Sequence, residues 1–118
     1  MNFNFEAKSD KIGVFYLEGN LIGEHDGMPL TDAFNEQMEN GILNFALNLS
    51  DLKHINSSGL GVFITLLTKA RKKGGELVLV GPSDYIRNLM LITKLNSIFT
   101  IFPTIDSAVE ALGQNDQS

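Results

Sequence analysis

Ser57 and Ser58 are the side chains best placed to do chemistry. They stand between an apolar run, Ile42 to Leu49, and the longest helical stripe of the sequence, so their hydroxyls fall beside backbone N–H groups carrying partial positive charge. A phosphate suits such a place; the plainer reading is that one of the two merely caps the helix. The other reactive-looking groups lead nowhere. Glu24, His25 and Asp26 are adjacent in sequence, and His54 is their only distant imidazole. Three consecutive side chains rarely converge on one ion, so this segment reads as a solvated loop and no metal is expected. His54 with a serine and an aspartate elsewhere could suggest a hydrolase. Asn56-Ser57-Ser58-Gly59, however, lacks the first glycine of a nucleophile elbow. Gly59-Leu60-Gly61 is a fragment of a dinucleotide fingerprint without its third glycine, and no Gly-Lys-Ser/Thr loop exists. Small residues there more simply permit close packing and the approach of a partner. The expectation is a binding domain, not an enzyme, with no cofactor.

The elements that must position these serines follow from periodicity. Phe3, Phe5 and Ala7 alternate with polar residues, and Ile12 to Leu17 follows after Ser9-Asp10-Lys11, which predicts an opening hairpin of two strands. Glu18-Gly19-Asn20 is expected to break the second strand. Gly23 to Pro29 is expected to be a loop leading into a helix over about 31 to 40, capped by Thr31 or Asp32 and ended by Gly41. Ile42 to Leu49 predicts a third strand ended by Ser50-Asp51. Leu60, Phe63, Ile64 and Leu67 mark the clearest helix, whose last turn carries Arg71-Lys72-Lys73 as cations at the negative helix end rather than as a basic patch. Leu77 to Val80 is a short buried strand. Ser83 then caps a helix bearing Tyr85, Ile86, Leu89, Met90 and Thr93. Phe99 to Phe102 suggests a last strand, and Asp106 a cap for a final helix stopped by Gly113. The order ββαβαβαβα is that of a mixed-sheet α/β domain with an antiparallel opening hairpin and about four helices, spanning 1–113, with a polar tail over 114–118.

Composition agrees with a single soluble domain. The 118 residues are 43% hydrophobic and 19% charged, with eight Phe and no Trp. A net charge of −5 repels phosphate backbones and anionic lipid, so neither nucleic acid nor membrane insertion is expected. The absence of Cys removes disulfides, thiolate metal cages and a thiol nucleophile together. The N-terminal run lacks an apolar secretory core, which makes the cytoplasm the expected compartment.

Asn48-Leu49-Ser50-Asp51-Leu52-Lys53-His54-Ile55-Asn56-Ser57-Ser58-Gly59-Leu60-Gly61-Val62 resembles the strand, loop and helix-start signature of the STAS family, usually Asp-Leu-Ser, a short spacer, then Asp-Ser-Ser-Gly-Leu. The Gly19-Asn20-Leu21 turn, the Gly74-Gly75 break, the Gly81-Pro82-Ser83 turn and the closing Ser107-Ala108-Val109-Glu110-Ala111-Leu112 helix fall in family order, so the likeness covers nearly the whole chain. The resemblance is to the anti-sigma factor antagonists of that family. It implies a bacterial transcription regulator whose unphosphorylated form binds an anti-sigma factor, itself a serine kinase, and releases its sigma factor. It further implies that the kinase phosphorylates Ser58 to switch binding off, that a PPM-type phosphatase reverses this, and that Asn20, Asn56, Ser57, Ser58, Gly59, Leu60 and Gly61 meet the partner. The alternative within the family is an unphosphorylated scaffold in a stressosome-like or lipid-transport complex. Asn48 and Asn56 stand where the family commonly has Asp, keeping hydrogen bonding but losing two charges expected near the acceptor. Ile22 stands where the family often has a further Asp. A response-regulator receiver, also small and α/β, is disfavoured by the opening strand pair and the missing acidic cluster.

Overall fold

The computed structural model describes residues 1–116. Its elements are β1 (Asn2–Ala7), β2 (Ile12–Leu21), a single helical turn α1 (Gly23–Asp26), α2 (Met28–Glu39), β3 (Asn44–Ile55), α3 (Ser57–Lys72), β4 (Glu76–Val80), α4 (Asp84–Ile92), a 3-10 turn (Leu95–Ser97), β5 (Ile101–Phe102) and α5 (Ile105–Asp116). The five strands lie in sequence order in one sheet; β1 runs antiparallel to β2, and β2 to β5 run parallel.

Because this order never reverses, crossovers of one hand stack their helices against one face of the sheet. Leu30 and Phe34 of α2, Leu60, Phe63 and Leu66 of α3, and Ile86 and Met90 of α4 join Phe15, Phe45, Leu47 and Leu79 in one core. The terminal α5 closes the other face, packing Ala108 and Leu112 on Val14, Ala46, Val78 and Val80. Burial on both faces explains why the central strands are apolar almost throughout. Aromatic rings tie the hairpin and α2 to the centre: Phe15 lies 4.8 Å from Phe5 and 6.1 Å from Phe45, and Phe34 lies 4.1 Å from Phe45.

Several boundaries differ from those expected. Glu18-Gly19-Asn20 does not break β2; Gly19 takes φ +91° and the strand continues to Leu21 through two register shifts. Ser50-Asp51 does not end β3, which runs on to Ile55. The two extensions supply each other's partner, pairing Glu18 with Asp51, Asn20 with His54 and Leu21 with Ile55. Gly23–Asp26 forms a helical turn where a loop was expected. Helix α2 starts at Met28 with Pro29 in its first turn and no side-chain cap; the Thr31 hydroxyl donates to the Gly27 carbonyl instead of capping. Gly41 takes φ +102° after α2, and Ser83 accepts from the Ile86 N–H at the start of α4, both as expected. The last strand is only two residues long. Thr104, not Asp106, caps α5 by accepting from the Ser107 N–H at 3.1 Å. That helix passes through Gly113 and takes in the first three residues of the expected tail, whose last two, Gln117 and Ser118, lie outside the described residues.

Candidate functional site at the start of α3

The extended β3 delivers the chain to Asn56, whose backbone is still extended (φ −111°, ψ −178°) before α3 begins at Ser57. Neither serine caps the helix. The cap is Asn56, whose Oδ1 accepts from the Gly59 N–H at 2.8 Å. The same oxygen accepts from the Gly23 N–H at 3.1 Å, which binds the α1 turn to the start of α3. With the capping duty met, the hydroxyls of Ser57 and Ser58 are exposed and bond to no described residue. The first turn of α3 contains no acidic residue, so no carboxylate there offsets the positive end of the helix dipole.

The residues expected to meet a partner separate into two sets. Asn20, Ser57 and Ser58 are exposed, and Asn56 and Gly61 are half-exposed. Gly59 and Leu60 face inward. A Cβ at Gly59 would lie 2.4 Å from the Leu21 carbonyl oxygen, and Leu60 is wholly buried among the core side chains. These two seat the helix on the end of β2 rather than offering surface.

Periodicity did not single out several other groups around the start of α3 as surface. His54 sits opposite Asn20 on the extended strands, its ring edge-on to Tyr85 at 5.8 Å, and the Tyr85 hydroxyl donates to the Ile55 carbonyl at 3.4 Å. Tyr85 belongs to the apolar stripe of α4 by spacing yet is 53% exposed. Ile22 and Met28, on either side of the α1 turn, are 48% and 55% exposed. Exposed apolar side chains thus flank the pinned turn, a feature visible only once burial is known. A groove of about 460 Å³ runs from Ser58 and Gly61 on α3 to Met28 and Asp32 on α2.

Of the remaining candidates, Asp26 and His25 lie in the α1 turn, which is bound to the start of α3. The Asp26 carboxylate accepts from the Ile22 N–H within its own turn, His25 is exposed, and no group of three potential ligands among the described residues could hold a metal ion. Asn48 is not beside Ser58. Its Oδ1 accepts from the Ser50 hydroxyl at 3.0 Å, and strand alternation puts it with Ala46 on the α5 side of the sheet, opposite the core that holds α3. Of the two asparagines, only Asn56 lies at the start of α3. Arg71 pairs with Glu76 at 3.1 Å; of the three cations read as dipole partners, Arg71 and Lys72 lie in the last turn of α3 and Lys73 is its C-cap, while Lys69 also lies in that turn. Among the described residues no helix is long and apolar enough to cross a membrane.

Comparison with known proteins agrees with this architecture. The model of the STAS domain family matches residues 7–108. The anti-sigma-B factor antagonist of Listeria monocytogenes is 37% identical over 108 residues, covering 86% of this chain and 90% of the relative. The solved structure of the anti-sigma factor antagonist SpoIIAA in its unphosphorylated form superposes with a TM-score of 0.82 at 18% identity, covering 96% of this chain and 97% of that one. The phosphorylated form of the Bacillus protein SpoIIAA gives a TM-score of 0.73 at 19% identity, covering 93% and 98%. The chain belongs to the STAS domain family, among relatives named anti-sigma factor antagonists.

Proposed function

We propose that this chain is an anti-sigma factor antagonist working by partner switching in the bacterial cytoplasm. The unphosphorylated form docks through the surface around the start of α3 on an anti-sigma factor with serine kinase activity and releases its sigma factor. Phosphorylation of Ser58 by that kinase ends the contact, and a PPM-type phosphatase restores it. The observation that carries this reading is the exposed Ser58 hydroxyl in the first turn of α3, left free because Asn56 takes the cap. Ser58 is a substrate here, not a nucleophile.

A phosphate brings about −1.5 to −2 charges and three acceptor oxygens to a surface the partner must desolvate. Exposed apolar Ile22, Met28 and Tyr85 around the acceptor suit a partner that buries them when no phosphate is present. The test is to incubate the chain with ATP and each candidate anti-sigma kinase of its host, then map phosphopeptides. Calorimetry with wild type, Ser58→Ala and Ser58→Asp completes it. Phosphate on Ser58, tight binding by Ser58→Ala and weak binding by Ser58→Asp are expected. Equal affinity of all three forms, or no modification by any kinase, would replace this reading with the unphosphorylated scaffold.

A further inference from the structure

We propose that the Asn40–Gly41 link, in the turn between α2 and β3, is a site of spontaneous covalent modification. The Asn40 side chain deamidates through a cyclic imide and leaves an isoaspartyl linkage that loosens the connection from α2 to β3. Ser58 has no part in it.

The turn itself requires this pair of neighbours. Asn40 is the C-cap of α2, and Gly41 after it takes φ +102°. The Ile42 N–H donates to the Gln37 carbonyl and the Gly41 N–H to the Met38 carbonyl, each at 3.0 Å, the paired bonds of a helix end closed by a left-handed residue. Any other side chain at position 41 would be strained by that φ, so the fold keeps a glycine behind Asn40. No other asparagine of the chain is followed by glycine. The chemistry needs water alone. The Gly41 backbone nitrogen gives its proton to solvent base and attacks the Asn40 Cγ; the N–Cγ bond forms, the Cγ–Nδ2 bond breaks and ammonia leaves. Water then opens the ring. Attack at the former side-chain carbonyl gives aspartate, and attack at the backbone carbonyl gives a chain routed through the former side chain.

The surroundings single out this link. A Cβ built on Gly41 would meet nothing within 4 Å, so no neighbour shields the attacking nitrogen. Asn40 is exposed, and its side-chain amide bonds to no described residue. The bond from Gly41 to Met38 must open and the Asn40 ψ must leave 0° before attack, but these belong to the last turn of a helix, where local opening is easiest. Other asparagines are held. The Asn56 oxygen accepts from the Gly23 and Gly59 N–H groups, Asn48 is buried in β3 and bonds Ser50, and Asn35 and Asn88 lie within α2 and α4. The product matters to the fold. An isoaspartyl linkage lengthens the backbone by a methylene inside the span closed by the bond from Ile42 to Gln37, and Ile42 is a core residue only 4% exposed. The new carboxylate also stands next to Glu39 at the negative end of the α2 dipole.

The experiment ages the full chain, folded and in urea, in mildly acidic and mildly alkaline buffer. Peptides are then mapped by mass spectrometry with fragmentation that separates aspartyl from isoaspartyl linkages, and melting points are taken of fresh and aged protein. In the folded chain Asn40 is expected to convert ahead of every other asparagine, faster in alkaline buffer because the attacking nitrogen must lose its proton, with isoaspartate the larger product. Aged wild type is expected to melt about 3 to 6 °C below fresh wild type, whereas Asn40→Gln, whose longer side chain closes the ring far more slowly, keeps its melting point through the same treatment. If Asn40→Gln fails to fold, peptide mapping and melting of wild type decide. Conversion of Asn40 only in urea would show that the intact turn protects the link and would overturn the proposal, as would earlier conversion at Asn56 or Asn96 in the folded chain. An unchanged melting point in isoaspartyl-bearing protein would overturn the loosening of α2 and β3.

Discussion

Asn56 and Gly23 are joined by a 3.1 Å hydrogen bond from the Gly23 N–H to Oδ1, the same oxygen that caps α3 through Gly59 at 2.8 Å. One atom thus fixes both the start of the Ser58-bearing helix and the turn that carries Ile22 toward it. Asn56→Ala should lower stability by about 1–2 kcal/mol, since two N–H groups lose their acceptor. It should also speed hydrogen exchange at Gly23. Asn56→Asp keeps an acceptor and places a negative charge at the positive helix end, so it should be at least as stable as wild type. Urea denaturation with exchange mass spectrometry reads both; unchanged Gly23 protection in Asn56→Ala would contradict the bridge.

Two glycines two residues apart should respond to alanine in opposite directions. At Gly61 the added methyl meets nothing, and the gain in helix propensity should raise stability by about 0.5–1 kcal/mol. At Gly59 it meets the backbone oxygen of Leu21 at 2.4 Å, which cannot rotate away, so a loss of about 1–3 kcal/mol is expected. The same clash would push the first turn of α3 off β2 and displace Ser58. Denaturation midpoints of the two variants decide the matter, and a stabilised Gly59→Ala would show that α3 does not sit where described.

The start of α3 was legible because its signals are local: Ser-Ser-Gly followed by Leu60, Phe63, Ile64 and Leu67 at helical spacing, of which Ile64 is half-buried and the other three are buried. The surface around it was not, because its causes are long-range. Strand β3 passes Ser50-Asp51 only because β2 also continues, with Leu52 and Ile55 buried against the core beneath. Neither extension is legible in its own segment, whose turn-forming residues argue the other way. Helix α2 starts three residues before its expected cap because Gly27 packs on Val62 from α3, a contact 35 positions distant in sequence. Tyr85 has the spacing of a core residue but points to His54 at the sheet end, and spacing cannot tell the rim of a stripe from its centre.

Asn48 provides a control for the site. It carries one of the two departures from the family signature, yet it bonds Ser50 on the α5 side of the sheet. Asn48→Asp should leave the rate of Ser58 phosphorylation and the affinity for the kinase within about twofold of wild type, because it adds charge on the far side of the sheet from the docking surface. Asn56→Asp, which adds charge beside the acceptor, should change the phosphorylation rate more. A kinase assay on both variants tests the pair. A larger effect from Asn48→Asp would mean that the two faces of the sheet are coupled.

The last prediction concerns pH and the hairpin. Tyr16 donates its hydroxyl to Glu6 Oε1 at 2.7 Å, and Lys8 Nζ lies 2.8 Å from the same oxygen. The hydrogen bond from Lys8, then that from Tyr16, then the Lys8 charge hold the Glu6 carboxyl below its ordinary range. Lys8 is raised chiefly by its bond to Glu6, and Tyr16 by its bond to Glu6 and then by burial. A carboxyl lowered by folding stabilises the native state above its unfolded value, about 4.3, and that contribution disappears as pH falls through the folded value. Lys8 and Tyr16, both raised, contribute below about pH 10 and lose it as pH climbs through their folded values. The melting difference between wild type and Glu6→Gln should therefore be greatest from about pH 6 to 8 and shrink as pH falls below about 4.3. Glu6 and Lys8 are exposed, so the difference should be small and should shrink in high salt. Carboxyl-carbon NMR titration is the sharper measurement, and both Lys8→Ala and Tyr16→Phe should move the Glu6 midpoint upward. An unmoved midpoint in both variants would show that the three groups do not interact in solution.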